Sequence, residues 1–175
     1  MNVDLATTDV EARPHFNLEH ILNGGAAIDA LGLGKAEIEA FYAVAHRDLS
    51  VGDYDGAEKM FRLLCMLDHR ESRFWMGLGA TLQSKRELEA AILAYSAVAE
   101  VGDPTPYAPL HAAECYIGLH LFEEAISGLS AAATLARGHV RAKEIADRIQ
   151  GLRDVIQWHL DQALTDDDLE SKGAD

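Results

Sequence analysis

A period of 34 residues constrains this chain more than any other feature. Laying residues 38–71 over 72–105 and 106–139 stacks Phe41 on Trp75, Val44 on Leu78, Ala45 on Gly79 on Ala113, and Tyr54 on Leu88 on Phe122. The same register stacks Ala57 on Ala91 on Ala125 and Phe61 on Tyr95 on Leu129. Such a unit reads as a helix-turn-helix that cannot bury its apolar face alone, so neighbouring copies must stack to complete a core. A stack of this kind presents a concave groove.

The first helices of the three units are expected near 37–50, 72–84 and 107–119, and the second near 54–67, 88–100 and 122–136. Of the turns between them, only Gly52-Asp53 is a strong breaker, whereas Lys85-Arg86-Glu87 and Leu119-His120-Leu121 rest on agreement of position. Gly102-Asp103-Pro104-Thr105-Pro106 ends the second unit and starts the third with a proline in its first turn. Ahead of the repeats, 1–13 are polar and acidic and read as a mobile lead. Residues 14–36 form an N-terminal helical segment carrying Leu18, Ile21, Leu22, Ala26 and Ile28 at helical spacing, with a bend at Gly24-Gly25. After Gly138 a capping helix is expected over 139–164. It carries Ile145, Ile149, Leu152, Ile156, Leu160 and Ala163 on one stripe and Arg141, Glu144, Arg148, Asp154 and Asp161 largely elsewhere. The acidic tail, 165–175, is expected to be disordered. The fold class is therefore all-α, with three repeats over 37–138 between an N-terminal helix and a cap.

With 15 Lys and Arg against 29 Asp and Glu, the net charge is -14, a field that repels nucleic acid. The opening MNVDLATTDVEAR has neither a basic start nor an apolar run, and no stretch approaches the roughly 18 apolar residues of a membrane span. No secretory signal and no direct membrane insertion are expected, which places the chain in the cytosol. Cys65 and Cys115 occupy unrelated positions in different units and read as reduced core thiols. His111 and Cys115 share a helical face, but zinc usually takes at least three protein ligands and spacing indicates no third, so neither metal nor cofactor is expected. The pairs Glu37 and Glu39, Glu87 and Glu89, and Glu123 and Glu124 sit where helices begin, where charge and helix dipole account for them. With no phosphate loop, nucleophile elbow or dinucleotide fingerprint, there are no catalytic candidates and no enzymatic activity is expected.

The repeat resembles the tetratricopeptide unit. In that unit, positions two, five, nine, twelve and thirteen of the first helix face the inner curve. Here these are Glu39, Tyr42, His46, Leu49 and Ser50, then Arg73, Met76, Ala80, Gln83 and Ser84, then Tyr107, Leu110, Glu114, Ile117 and Gly118. A groove that clamps an acidic C-terminus needs several inward Lys and Arg groups, and these positions offer Arg73 against Glu39 and Glu114. Tyr42, Met76 and Leu110 at the fifth positions give an apolar floor suited to an extended or amphipathic segment. The competing assignment buries each of the three between neighbouring first helices. Three such anchors contribute about 5 to 9 kcal/mol, while ordering each residue of a bound segment costs about 1 to 2 kcal/mol.

The stretch CMLDHRESRFWMGLGA, Cys65 to Ala80, together with HAAEC, His111 to Cys115, resembles the class II chaperones of bacterial type III secretion systems, and the resemblance covers about 15–160. It implies a chaperone of the bacterial cytoplasm that holds secreted hydrophobic translocator proteins, keeping them soluble and apart until secretion. It also implies a short extended segment from a translocator in the concave face, anchored by proline and leucine. That role would pass to Tyr42, His46, Leu49, Met76, Ala80, Tyr107, Leu110 and Ile117, with Arg73, Gln83 and Glu114 completing the groove. Relatives often carry more aromatic residues where His46 and Leu49 stand. The family often forms homodimers through its N-terminal region. Here the helix carrying Leu18, Ile21, Leu22 and Ile28 has two readings, packing on the first repeat or pairing with a second copy. The alternative function is a general tetratricopeptide adaptor assembling another complex.

Overall fold

The computed structural model describes residues 27–172, and all regular structure among them is helical. A short helix, α1 (Ala27–Leu31), leads into three hairpins: α2 (Lys35–Val51) with α3 (Tyr54–Leu67), α4 (Ser72–Ser84) with α5 (Leu88–Glu100), and α6 (Tyr107–Gly118) with α7 (Phe122–Leu135). The last helix is α8 (Ala142–Lys172).

Two segments differ from expectation. Within 14–36 the described helix stops at Leu31, because Gly32 takes φ 63 and the Leu33 amide bonds back to the Ile28 carbonyl at 3.2 Å, a Schellman-type end. The bend at Gly24-Gly25 and the lead at 1–13 lie outside the described residues. At the other end, α8 begins at Ala142 rather than near 139, since the Ala142 amide closes a turn on the His139 carbonyl at 3.0 Å. It then runs to Lys172 instead of ending near 164, because 152–172 contains neither glycine nor proline. The acidic segment expected to be disordered from 165 is thus helical through Lys172.

One backbone device closes all three hairpins. Gly52, Arg86 and His120 lie one period apart and take positive φ of 82, 66 and 59. After each, the next amide reaches back to the first helix: Asp53 to Asp48 at 2.9 Å, Glu87 to Leu82 at 3.0 Å and Leu121 to Tyr116 at 2.9 Å. Only the first turn has a glycine, so Arg86 and His120 carry a left-handed cost of about 1 to 2 kcal/mol each, which the packing of their hairpins offsets. In the first turn the Asp53 carboxylate also accepts from the Gly56 amide at 3.0 Å and caps α3.

The positions that coincide in the repeat are the core. Ala57, Ala91 and Ala125 are fully buried, as are Phe61, Tyr95 and Leu129. Two glycines of α4 make room for the rings: a Cβ on Gly77 would overlap Phe61, and one on Gly79 would stand 2.5 Å from Tyr95. Cys65 and Cys115 are free and buried, and burial pushes their thiols up to about 12 and about 11, so they stay protonated. Between the first two hairpins, Lys85 Nζ gathers Asp55, Glu58 and Glu87 at 2.9, 2.7 and 3.1 Å.

Successive first helices touch, α2 on α4 and α4 on α6, whereas successive second helices do not. The stack therefore curves toward the first-helix side. α8 continues that row by packing against α6 as well as α7. Two apolar clusters result. One is centred on the first two repeats, and the other joins α6, α7 and α8 through Leu110, Leu129, Ile145, Ile149 and Ile156. Tyr116 packs against both.

Candidate functional site

The inner face begins with an aromatic group on α2. Tyr42 meets His46 edge-on at 4.5 Å between ring centroids, and the two rings meet Phe61 at 6.1 and 5.6 Å. Phe74 of α4 adds a tilted contact to Tyr42 at 5.8 Å. Tyr42 remains half-buried, while burial raises its phenol above the ordinary range. The Arg73 guanidinium lies over the Tyr42 ring at 4.7 Å and bonds Glu39 at 2.9 and 3.3 Å, with Glu71 on its other side at 3.2 Å. These carboxylates hold Arg73 charged, and the Arg73 hydrogen bonds in turn lower the Glu39 carboxyl. The cation is therefore occupied within its own repeat boundary.

Further along, Leu49 and Met76 are half-buried against the first cluster, and Ile117 against the second, while Ala80 is half-buried. Tyr107 is half-buried and meets His139 edge-on at 5.7 Å. Leu110 does not join this floor. At 1% exposure it belongs to the second cluster beneath α8, so its expected place as a groove anchor is corrected to a core position. The reason is that α8 stands where a fourth first helix would.

A polar chain crosses from the back of the stack to this inner face. The Tyr95 hydroxyl donates to Gln83 Oε1 at 2.7 Å, and Gln83 Nε2 donates to Glu114 at 3.2 Å. The His111 ring stacks on Tyr95 and contacts the same carboxylate at 3.1 Å through Nδ1. Arg148 of α8 donates to the other oxygen through Nε at 2.7 Å. Burial would raise the Glu114 carboxyl, but His111, Arg148 and Gln83 outweigh it and bring it down to about 2.

The repeat register, carried one unit further than the expected repeats, places Arg141, Glu144 and Arg148 after Tyr107, Leu110 and Glu114. The expectation that these three lie largely off the packed side of the cap missed that they continue the inner face. They bound a pocket of about 470 Å³ with Tyr107, Leu110, His111 and Ile145. A depression of about 460 Å³ also lies between α5, α6 and α7, walled mainly by small side chains such as Ala99, Ala112, Gly128 and Ala131. None of the inner-face positions of α6 lines it. Among the expected pairing residues, Ile28 packs half-buried against the first cluster, while Leu18, Ile21 and Leu22 lie outside the described residues. No group of three or more metal-ligating side chains occurs among the described residues, and no described helix is long and apolar enough to cross a membrane.

Stacked hairpins with this inner face define a tetratricopeptide-repeat protein, and the tetratricopeptide repeat family model matches residues 72–100. Low calcium response locus protein H of Yersinia pestis is 35% identical over 152 residues, which cover 86% of this chain and 90% of that protein. Among solved structures, a T3SS complex from Aeromonas hydrophila superposes with a TM-score of 0.76 at 33% identity, covering 82% of this chain and 95% of the other. SycD of Yersinia enterocolitica, a type III secretion chaperone solved in complex with a peptide of the translocator YopD, superposes with a TM-score of 0.68. It is 35% identical, with 73% of this chain and 97% of the other covered. SycD has also been solved as an alternative dimer. The chain belongs to the family of low calcium response locus protein H, the class II translocator chaperones of type III secretion.

Proposed function

We propose that this chain is a holding chaperone of the bacterial cytoplasm. It takes a short extended segment of a secreted hydrophobic translocator along the row of first helices, keeping translocators soluble and apart until secretion. The observation that carries this reading is the half-buried apolar floor of Tyr42, Leu49, Met76 and Ile117, flanked at the α2 end by the paired charges of Arg73 and Glu39. His46, Arg73, Ala80, Gln83, Tyr107 and Glu114 complete the contact surface. A partly exposed apolar strip between fixed polar groups suits a segment with a few hydrophobic anchors. The complex of the relative SycD with a translocator peptide supports the same use of the fold. Shielding apolar cargo needs surface and no bond-making chemistry, so no catalytic group is assigned. The net charge of -14 would keep a loaded complex soluble by repulsion. A homodimer is the oligomer this reading takes, in keeping with the dimer of SycD.

Co-expression with the translocators encoded beside this chain is expected to bring them into the soluble fraction. Tyr42→Glu with Met76→Glu is expected to abolish capture while circular dichroism shows the helices intact. Translocators that stay insoluble beside the wild-type chain sink the reading, and light scattering of the purified chain at monomer mass sinks the dimer.

A further inference from the structure

We propose that the pocket between α6 and α8 is a carboxylate subsite that takes an Asp or Glu side chain of the bound translocator segment, an inference that rests on the groove reading above. The argument is charge complementarity. At the α2 end of the inner face the cation is spent, since Arg73 is held between Glu39 and Glu71. At the α8 end two cations, Arg141 and Arg148, and one carboxylate, Glu144, line the pocket, with Glu114 bonded to Arg148. Arg148 directs Nε and one terminal nitrogen to a single oxygen of Glu114, at 2.7 and 2.5 Å, and its side chain keeps 57% exposure. Arg141 is 62% exposed and pairs with Glu144 at a loose 3.5 Å. Both guanidinium groups border the pocket of about 470 Å³, whose floor lies over the buried side chains of Leu110 and Ile145.

A planar guanidinium matches a carboxylate through paired N–H bonds, and an apolar floor strengthens the attraction. The subsite would also give the bound segment a direction, with its apolar anchors toward Tyr42 and Met76 and its acid toward α8. The repeats alone hold no such place. The capping helix creates it.

The probe is a set of overlapping peptides tiling the N-terminal region of the neighbouring translocator, each made with its Asp and Glu residues and again with Asn or Gln in their place. Binding to the full chain is read by fluorescence anisotropy. Amidation at one position is expected to weaken binding about tenfold, the scale of one charge-assisted hydrogen bond. Arg141→Gln is expected to erase the difference between the paired peptides, and added salt to shrink it. Arg141→Gln is the deciding variant because Arg148 also holds α8 to Glu114. Peptides that bind the wild-type chain equally in both forms overturn the subsite alone, with the Tyr42→Glu loss still upholding the groove. If no peptide binds, groove and subsite fall together. A change in the mass of Arg141→Gln by light scattering assigns the pocket to a second copy of the chain and overturns the proposal.

Discussion

At Gly77 a hydrogen atom stands where any other residue would place a Cβ, because the Phe61 ring occupies that space. Gly77→Ala forces the ring or the helix to move, and overpacking of this kind costs about 1 to 3 kcal/mol. Gly151 offers the contrast, since it lies in α8 with nothing within 4 Å of the place an alanine methyl would take. There alanine relieves only the backbone freedom of glycine, a gain of about 0.5 to 1 kcal/mol. Urea denaturation of the two variants is expected to move the midpoint in opposite directions, and a stabilised Gly77→Ala would contradict the packing described. Much at this scale was legible in the sequence: Ala57, Ala91, Ala125, Phe61, Tyr95 and Leu129 coincide one period apart and are all buried. Leu110 was not, because its burial comes from a helix outside the repeat.

Among the elements, α8 is held to α6 by both apolar contact and charge, and the charged part responds to pH. The Glu114 carboxyl is held at about 2, below the ordinary carboxyl value of 4.5. A depressed carboxyl contributes stability that is fully present above its unfolded value and is lost as pH falls toward the folded one. The window is therefore about pH 4.5 down to 2. With Arg148 largely exposed and partly screened, the contribution at neutral pH is roughly 1 to 3 kcal/mol. Glu114→Gln is expected to lower neutral-pH stability by that amount and to flatten its decline across the acid window, followed by urea titration at several pH values. An acid slope unchanged in the variant would contradict the role of Glu114. The turns show how far an element can be read from sequence. Gly52 announces the first hairpin, but Arg86 and His120 adopt the same left-handed turn without glycine, and only their spacing marks them. The register was likewise not followed into α8, because among the described residues no second helix pairs with it as a fourth hairpin.

For the whole molecule, the two apolar clusters make a stack whose halves can loosen separately, since each repeat supports only its neighbours. Ile149 lies in the second cluster at 4% exposure, and Ile149→Ala is expected to cost about 2 to 5 kcal/mol. Hydrogen exchange should show the loss chiefly in α6, α7 and α8, with α2, α3 and α4 keeping their protection. Uniform loss along the chain would make the stack one cooperative block. The seat of Tyr95 against Gly79 carries a consequence of its own. The ring is clamped from behind by bare backbone, while its hydroxyl grips Gln83 and, through it, Glu114 at the inner face. The reverse side of the scaffold thus works as a tuning screw. If the inner face holds cargo as proposed, Gly79→Ala is expected to change peptide affinity in the anisotropy assay without replacing any atom that the cargo touches.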